Sequence, residues 1–255
     1  IDIMVKPGTK GETVYIPAVI THGGVDDLVY NDFYIGEDAD VTIVAGCGVH
    51  NCDCEDSHHN GIHRFFLAKN SKVLYLEKHY GEGDGSGKRI INPETEVFAE
   101  EGSTMEMNTV QIKGVDSTIR TTRATLGPDA TLIIHEKVMT HGKQHAKSDF
   151  TVDLNGAGCH TNVISRSVAR GQSHQVFMAR INGNAPCYGH SECDAIIMDQ
   201  GVVSAIPEVT ANCLDAQLVH EAAIGKIAGE QLTKLMTLGL TEKEAEEQIV
   251  NGFLK

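Results

Sequence analysis

The chain has 255 residues, enough for one large domain or two small ones. Hydrophobic residues are 41%, aromatics only 5% and tryptophan is absent, so any core is aliphatic; glycine is frequent (26) and proline sparse (6), which suits many short strands joined by tight turns. A formal net charge of −14 with no Lys/Arg block excludes the footprint of a nucleic-acid binder, and no apolar run reaches the roughly 18 residues of a membrane-spanning helix.

Residues 1–30 read as an N-terminal segment. A few apolar alternations (Val14, Ile16, Ala18, Ile20) end in a turn, Gly23-Gly24-Val25-Asp26-Asp27. The segment lacks the basic-then-apolar pattern of a secretion signal. Seven cysteines is an odd number, and without such a signal reduced thiols in the cytoplasm are expected rather than a disulfide framework.

From residue 31 to 225 the texture repeats. A small or acidic turn precedes a short alternating apolar run, as in Asp38-Ala39-Asp40 before Val41-Thr42-Ile43-Val44 and Asn70-Ser71-Lys72 before Val73-Leu74-Tyr75-Leu76. Pro128-Asp129-Ala130 before Thr131-Leu132-Ile133-Ile134 follows the same rule. Landmarks recur roughly every 28–32 residues, as in a stacked β-solenoid whose rungs bury their faces against neighbours. An antiparallel sandwich or barrel is the alternative that this pattern leaves open.

Within this region, Cys47, His50, Cys52, Cys54, His58, His59 and His63 put three thiols and four imidazoles into 17 residues. Cys-x-Cys places two thiols on one strand face, and Cys47 with His50 can close on one ion, so Zn or Fe is the expected occupant. The spacing matches neither a standard zinc finger nor a ferredoxin run. Gly81-Glu82-Gly83-Asp84-Gly85-Ser86-Gly87-Lys88 lacks the phosphate-loop form, since Arg89 follows Lys88, and reads as a flexible loop. The remaining histidines, His135 to His190, read as surface or capping residues.

Further on, Cys193 lies on a strand-like run and His220-Glu221 lies about one repeat later. On a regular strand Cys193 faces with Ala195, Glu192 with Asp194, and Glu221 opposite His220. Thiolate with imidazole is a ligand set for Fe, Zn or Cu(I). After Ala223 the period changes. Residues 226–255 read as a helical hairpin, with helices near 228–238 and 242–252. Leu232, Leu235 and Met236 mark one apolar face and Ala245, Ile249 and Phe253 the other. Gly239 sits at a C′ position, and Thr241-Glu242-Lys243-Glu244 is a capping box.

The ordered residues of this C-terminal stretch carry a resemblance: Glu192 to Ile196 (ECDAI), His220-Glu221-Ala222, Lys226-Ile227, Glu230-Gln231-Leu232, Gly239-Leu240 and Val250-Asn251-Gly252-Phe253. They resemble the C-terminal end of the SufB/SufD family, scaffold subunits of the SUF iron–sulfur cluster assembly machine. The resemblance implies a right-handed parallel β-helix core, a transient iron–sulfur cluster as cargo, and a scaffold rather than an enzyme. It implies a SufC-type ABC ATPase as partner, docking on Leu232, Leu235, Met236, Ile249 and Phe253, and pairing of two scaffolds as a homodimer or with a paralogue. The family uses a cysteine at the position of Cys193 and Glu-His-Glu at Val219-His220-Glu221, so Val219 departs from the pattern. Cys193 and Glu221 make the chain more SufB-like than SufD-like. The helical N-terminal region of the family is mostly missing from these residues, so flavin binding is not among the expectations that the resemblance carries over. Two other readings remain: a metalloenzyme built on the Cys47–His63 cluster, and a purely structural SufD-like subunit.

Overall fold

The computed structural model describes residues 1–255: sixteen strands, β1 (Asp2–Val5) to β16 (Ala216–Gly225), followed by helices α1 (Gly229–Thr237) and α2 (Glu242–Phe253). Odd strands form one eight-stranded sheet in the order β1-β3-β5-β7-β9-β11-β13-β15, and even strands form the other, β16 back to β2. Every pairing is parallel, as between β10 (Thr131–Thr140) and β12 (His160–Ala169), where Thr131 stands beside His160. The chain is therefore a two-sheet parallel β-solenoid. Residues 1–30 are not a segment apart. β1, β2 (Lys10–Ile20) and the start of β3 (Asp26–Ile35) pair into the same sheets, because their alternation matches that of the rungs above.

Rungs repeat every 27 to 32 residues, and the sequence supplies a turn residue each time. Asp38, Asn70 and Asp129 adopt left-handed φ values of 55°, 56° and 54°, which Asp and Asn tolerate better than most residues. Two rungs are longer than the others, and the extra residues form the loops at 51–56 and 83–88. The glycine run explains itself there. Gly85 and Gly87 donate their amides to the carbonyls of Asn51 (3.2 Å) and Asp53 (3.0 Å). A Cβ on Gly87 would lie 2.1 Å from the Glu55 carbonyl oxygen. The run is a packing device against the loop below it, not the flexible loop expected.

Strand alternation decides the core. On β10, Leu132, Ile134, Glu136 and Val138 are buried between the sheets. One continuous apolar cluster runs from Phe33 to Cys193. Each fully buried Val, Leu, Ile or Phe contributes about 1.5–3 kcal/mol relative to exposure. Like residues stack at successive rungs: Phe33 on Phe65 inside (4.6 Å between ring centres), and Tyr34 on Phe66 (4.9 Å) on Phe98 (5.1 Å) outside. These spacings match the roughly 4.8 Å between neighbouring strands.

The hairpin forms as the sequence indicates. Gly239 has φ 95°, and Thr241 with Glu244 forms the capping box. Val250 of α2 and Leu254 just after it are buried against Val168 and Met198 of the solenoid, and Lys137 Nζ donates to the carbonyl of Lys255. No residue of α1 is buried. The outward edges of β15 (Val202–Ala211) and β16 consequently end the two sheets with no further strand on them. No helix is long and apolar enough to cross a membrane.

Candidate functional site

β14 (Cys187–Ile197) alternates without interruption over the stretch that matters. Ser191, Cys193 and Ala195 point inward; His190, Glu192 and Asp194 are half-buried on the outer face. β16 lies over β14 in register, so His220 stacks on Ser191, Glu221 on Glu192 and Ala222 on Cys193. Cys193 and His220 therefore share the interior face, two ladder positions apart. His220 Nδ1 lies 3.2 Å from Ser191 Oγ. Glu221 points the other way, as strand alternation requires, and does not join them. Its carboxylate gathers with His190 and Glu192, the ligand atoms of the three lying within 4.8 Å of one another.

Cys193 is only 1% exposed. Burial, then the nearby charge of Glu136 and of Asp194, pushes its thiol up to about 12. Burial, then the neighbouring His190, lowers the titration of His220, so its imidazole is neutral and able to accept a metal at neutral pH.

Beneath Cys193 runs a polar column. Register places Ala45, Glu77, Thr109, Glu136, Ser165, Cys193 and Ala222 on successive strands of one sheet, all along one line. Ser165 Oγ donates to Glu136 Oε2 (2.7 Å) and Ser148 Oγ to Glu136 Oε1 (2.6 Å). Arg120, from β9 (Ser117–Leu126) in the facing sheet, lies between the carboxylates: it pairs with Glu77 and reaches Glu136 at 3.5 Å. Tyr75 donates to Glu77 (3.0 Å), and His63 and Asn31 continue the chain at 2.8 and 3.2 Å. Burial alone would raise Glu77; Arg120 and His79 reverse this and hold it well below the usual carboxylate range. One line of hydrogen bonds and ion pairs thus crosses the core from β3 to β12, and Cys193 sits above its last member.

The comparisons with known proteins fit this fold. Residues 30–253 match the family model described as SUF system FeS cluster assembly, SufBD core domain. The chain belongs to the SufBD family. An iron-sulfur cluster assembly SufBD family protein from Archaeoglobus fulgidus is 31% identical over 251 residues, covering 98% of this chain and 66% of that protein. Family members from Methanocaldococcus jannaschii and Methanothermobacter thermautotrophicus are 29% and 26% identical, with 79% and 60% of their lengths covered. The chain thus spans only about 60 to 79% of these curated SufBD relatives. Membership points to a role in iron–sulfur cluster assembly.

Within this SufBD fold the N-terminal Cys/His run does not converge. Cys47, His59 and His63 face the core. His59 pairs with Asp27 (2.7 Å); His63 is lowered to about 4, chiefly by burial, and Cys47 is pushed up to about 12 by burial and then Glu77. Cys52 and Cys54 are exposed on the loop after β4 (Asp40–His50), and the Cys52 sulfur lies 3.2 Å from His50 Nε2. His58 is half-buried on the outer face of β5 (Ser57–Leu67). The seven residues are therefore split between the interior and the outside, because period-2 alternation and the intervening loop send them apart. Of the hairpin residues, Leu232, Leu235, Ile249 and Phe253 are half-buried and Met236 is 45% exposed. Sequence reading missed Glu77, Arg120, Glu136 and His190. Only solenoid register assembles them, and no local motif marks that.

Proposed function

We propose that this SufBD chain is a scaffold on which iron–sulfur cluster components are held at Cys193 and His220 and then passed to acceptors. The observation that carries the reading is the position of this pair. Both face the same interior in the last two rungs of one sheet, where the solenoid ends. Only β16, with the small side chain of Ala222, lies between Cys193 and the open edge. A neutral imidazole and a thiol that ionises on metal binding suit iron. Glu221, on the other face of the same strand, stands apart from this pair.

Unpaired strand edges invite another chain. The exposed edges of β15 and β16 support pairing with a second scaffold, of the same kind or a paralogue. The chain holds no nucleotide-binding motif, so ATP hydrolysis falls to a SufC-type ABC ATPase. The exposed face of α1 with Met236, and Leu238 (75% exposed) just after it, supports docking there.

The test is anaerobic reconstitution with iron and sulfide, followed by absorption spectroscopy and iron and sulfide analysis. Cys193→Ser and His220→Ala are expected to lose most of the bound iron and sulfide with the circular dichroism spectrum unchanged. A Cys193→Ser protein that reconstitutes like the wild type would refute the reading and favour a purely structural subunit. Loss confined to a Cys52/Cys54 double Ala variant would move the site to the outer loop.

A further inference from the structure

The outer face of the last two rungs carries a cluster that the interior pair does not use. His190 and Glu192 share the outward face of β14, two residues apart, and Glu221 stacks on Glu192 from β16. A nitrogen of the imidazole and an oxygen of each carboxylate lie within 4.8 Å of one another. With metal–ligand bonds of about 2.0–2.2 Å, a small side-chain adjustment brings all three onto one ion.

The imidazole is already held as a ligating histidine is held. His190 Nδ1 lies 2.8 Å from Asn162 Oδ1 on β12. An amide oxygen only accepts, so Nδ1 carries the proton and Nε2 keeps its lone pair. Such a partner on one ring nitrogen fixes the tautomer and the ring direction and leaves the other nitrogen to ligate. Asp194 follows on the same outward face of β14, and Arg166 stands beside it in the register with a buried Nε that has no hydrogen-bond acceptor.

We propose that His190, Glu192 and Glu221 bind one divalent transition-metal ion, of the Fe2+ or Mn2+ kind, on the outside of the strand whose inner face carries Cys193. One imidazole with two carboxylates is a borderline-to-hard set that passes over Cu(I), and three protein ligands leave positions for water or an incoming ligand. The ion site stands on this geometry. Its use as the point where iron is held before it reaches the thiolate rests on the scaffold reading above.

The experiment is a titration of the whole chain with Mn2+ under anaerobic conditions, followed by the electron paramagnetic resonance signal of the free ion. One Mn2+ per chain is expected, displaced by Fe2+. Glu192→Gln and Glu221→Gln are each expected to weaken binding at least tenfold. Asn162→Ala, which removes no ligand, is expected to weaken it about 10–100-fold. Cys193→Ser is expected to leave Mn2+ affinity unchanged. The proposal is overturned if the wild type binds no Mn2+ below millimolar concentration. It is also overturned if Glu221→Gln, with an unchanged circular dichroism spectrum, binds as the wild type does, or if Cys193→Ser abolishes binding. Normal Mn2+ binding together with normal cluster reconstitution in Cys193→Ser would uphold this site and sink the scaffold reading.

Discussion

Arg120→Met removes the guanidinium that bridges two carboxylates almost wholly out of water: Glu77 is 2% and Glu136 is 3% exposed. Removing one partner from a buried ion pair costs about 3–5 kcal/mol, because the remaining charge stays buried without compensation. Tyr75 still donates to Glu77, and Ser148 and Ser165 to Glu136, which keeps the cost within that range rather than doubling it. At about 2–4 °C per kcal/mol for a domain of this size, the melting temperature is expected to fall by about 6–20 °C. Thermal circular dichroism is the assay, since the chain has no tryptophan. The pH dependence separates this from simple loss of packing. In the wild type, Glu77 is held below its ordinary value, so its contribution is full above the unfolded pKa and is lost as pH falls toward the lowered folded one. In the variant only His79 is left to oppose the upward push of burial on Glu77, so the penalty is largest at neutral pH and shrinks as the group protonates. The gap between the two proteins is therefore expected to narrow between pH 7 and pH 4. Adding Glu77→Gln and Glu136→Gln to Arg120→Met is expected to recover most of the loss. A variant melting within about 2 °C of the wild type at pH 7, or a gap unchanged at pH 5, would refute the reasoning.

Two further outcomes follow from burial. In the metal-free protein, a maleimide at pH 7 is expected to label Cys52 and Cys54 quickly and Cys193 only slowly, because burial and the Cys193 thiol's rise to about 12 leave almost no accessible thiolate. Peptide mass spectrometry after timed quenching reads the order, and early labelling of Cys193 would show that β16 opens readily. Removing residues 226–255 is expected to leave a solenoid with its strand content intact, its melting lowered by exposure of Val168 and Met198, and no longer able to retain a SufC-type ATPase in a pull-down. Retained binding would place the docking surface on the β-domain.

Much of the fold was legible in local sequence. Turn residues such as Asp38, Asn70 and Asp129 announce left-handed backbone, and the alternation around Val41 and Leu132 announces strands with one buried face. The change of period after Ala223, with Gly239 and the Thr241–Glu244 box, marks the hairpin to within a residue or two. Alternation also foretold that Glu221 faces away from His220, since it depends only on neighbours along one strand.

What local sequence left undecided is whatever depends on register between rungs. The dense Cys47–His63 run looked like a ligand set because its members are close along the chain, yet alternation and a loop send them to opposite sides. Conversely, Arg120 is 43 residues from Glu77, and Glu221 is far along the chain from His190; each pair meets only because two rungs align. The thiol of Cys193 shows the same division. Its neighbours in sequence, Glu192 and Asp194, predict a raised pKa, but burial and Glu136, reached across two rungs of the ladder, supply the larger causes. In a solenoid, side-chain direction is set by the nearest residues, whereas proximity is set by rung length, and rung length changes wherever a loop such as residues 51–56 or 83–88 is inserted. Direction could therefore be read from the sequence, while the company each side chain keeps was decided by the stacking of the rungs.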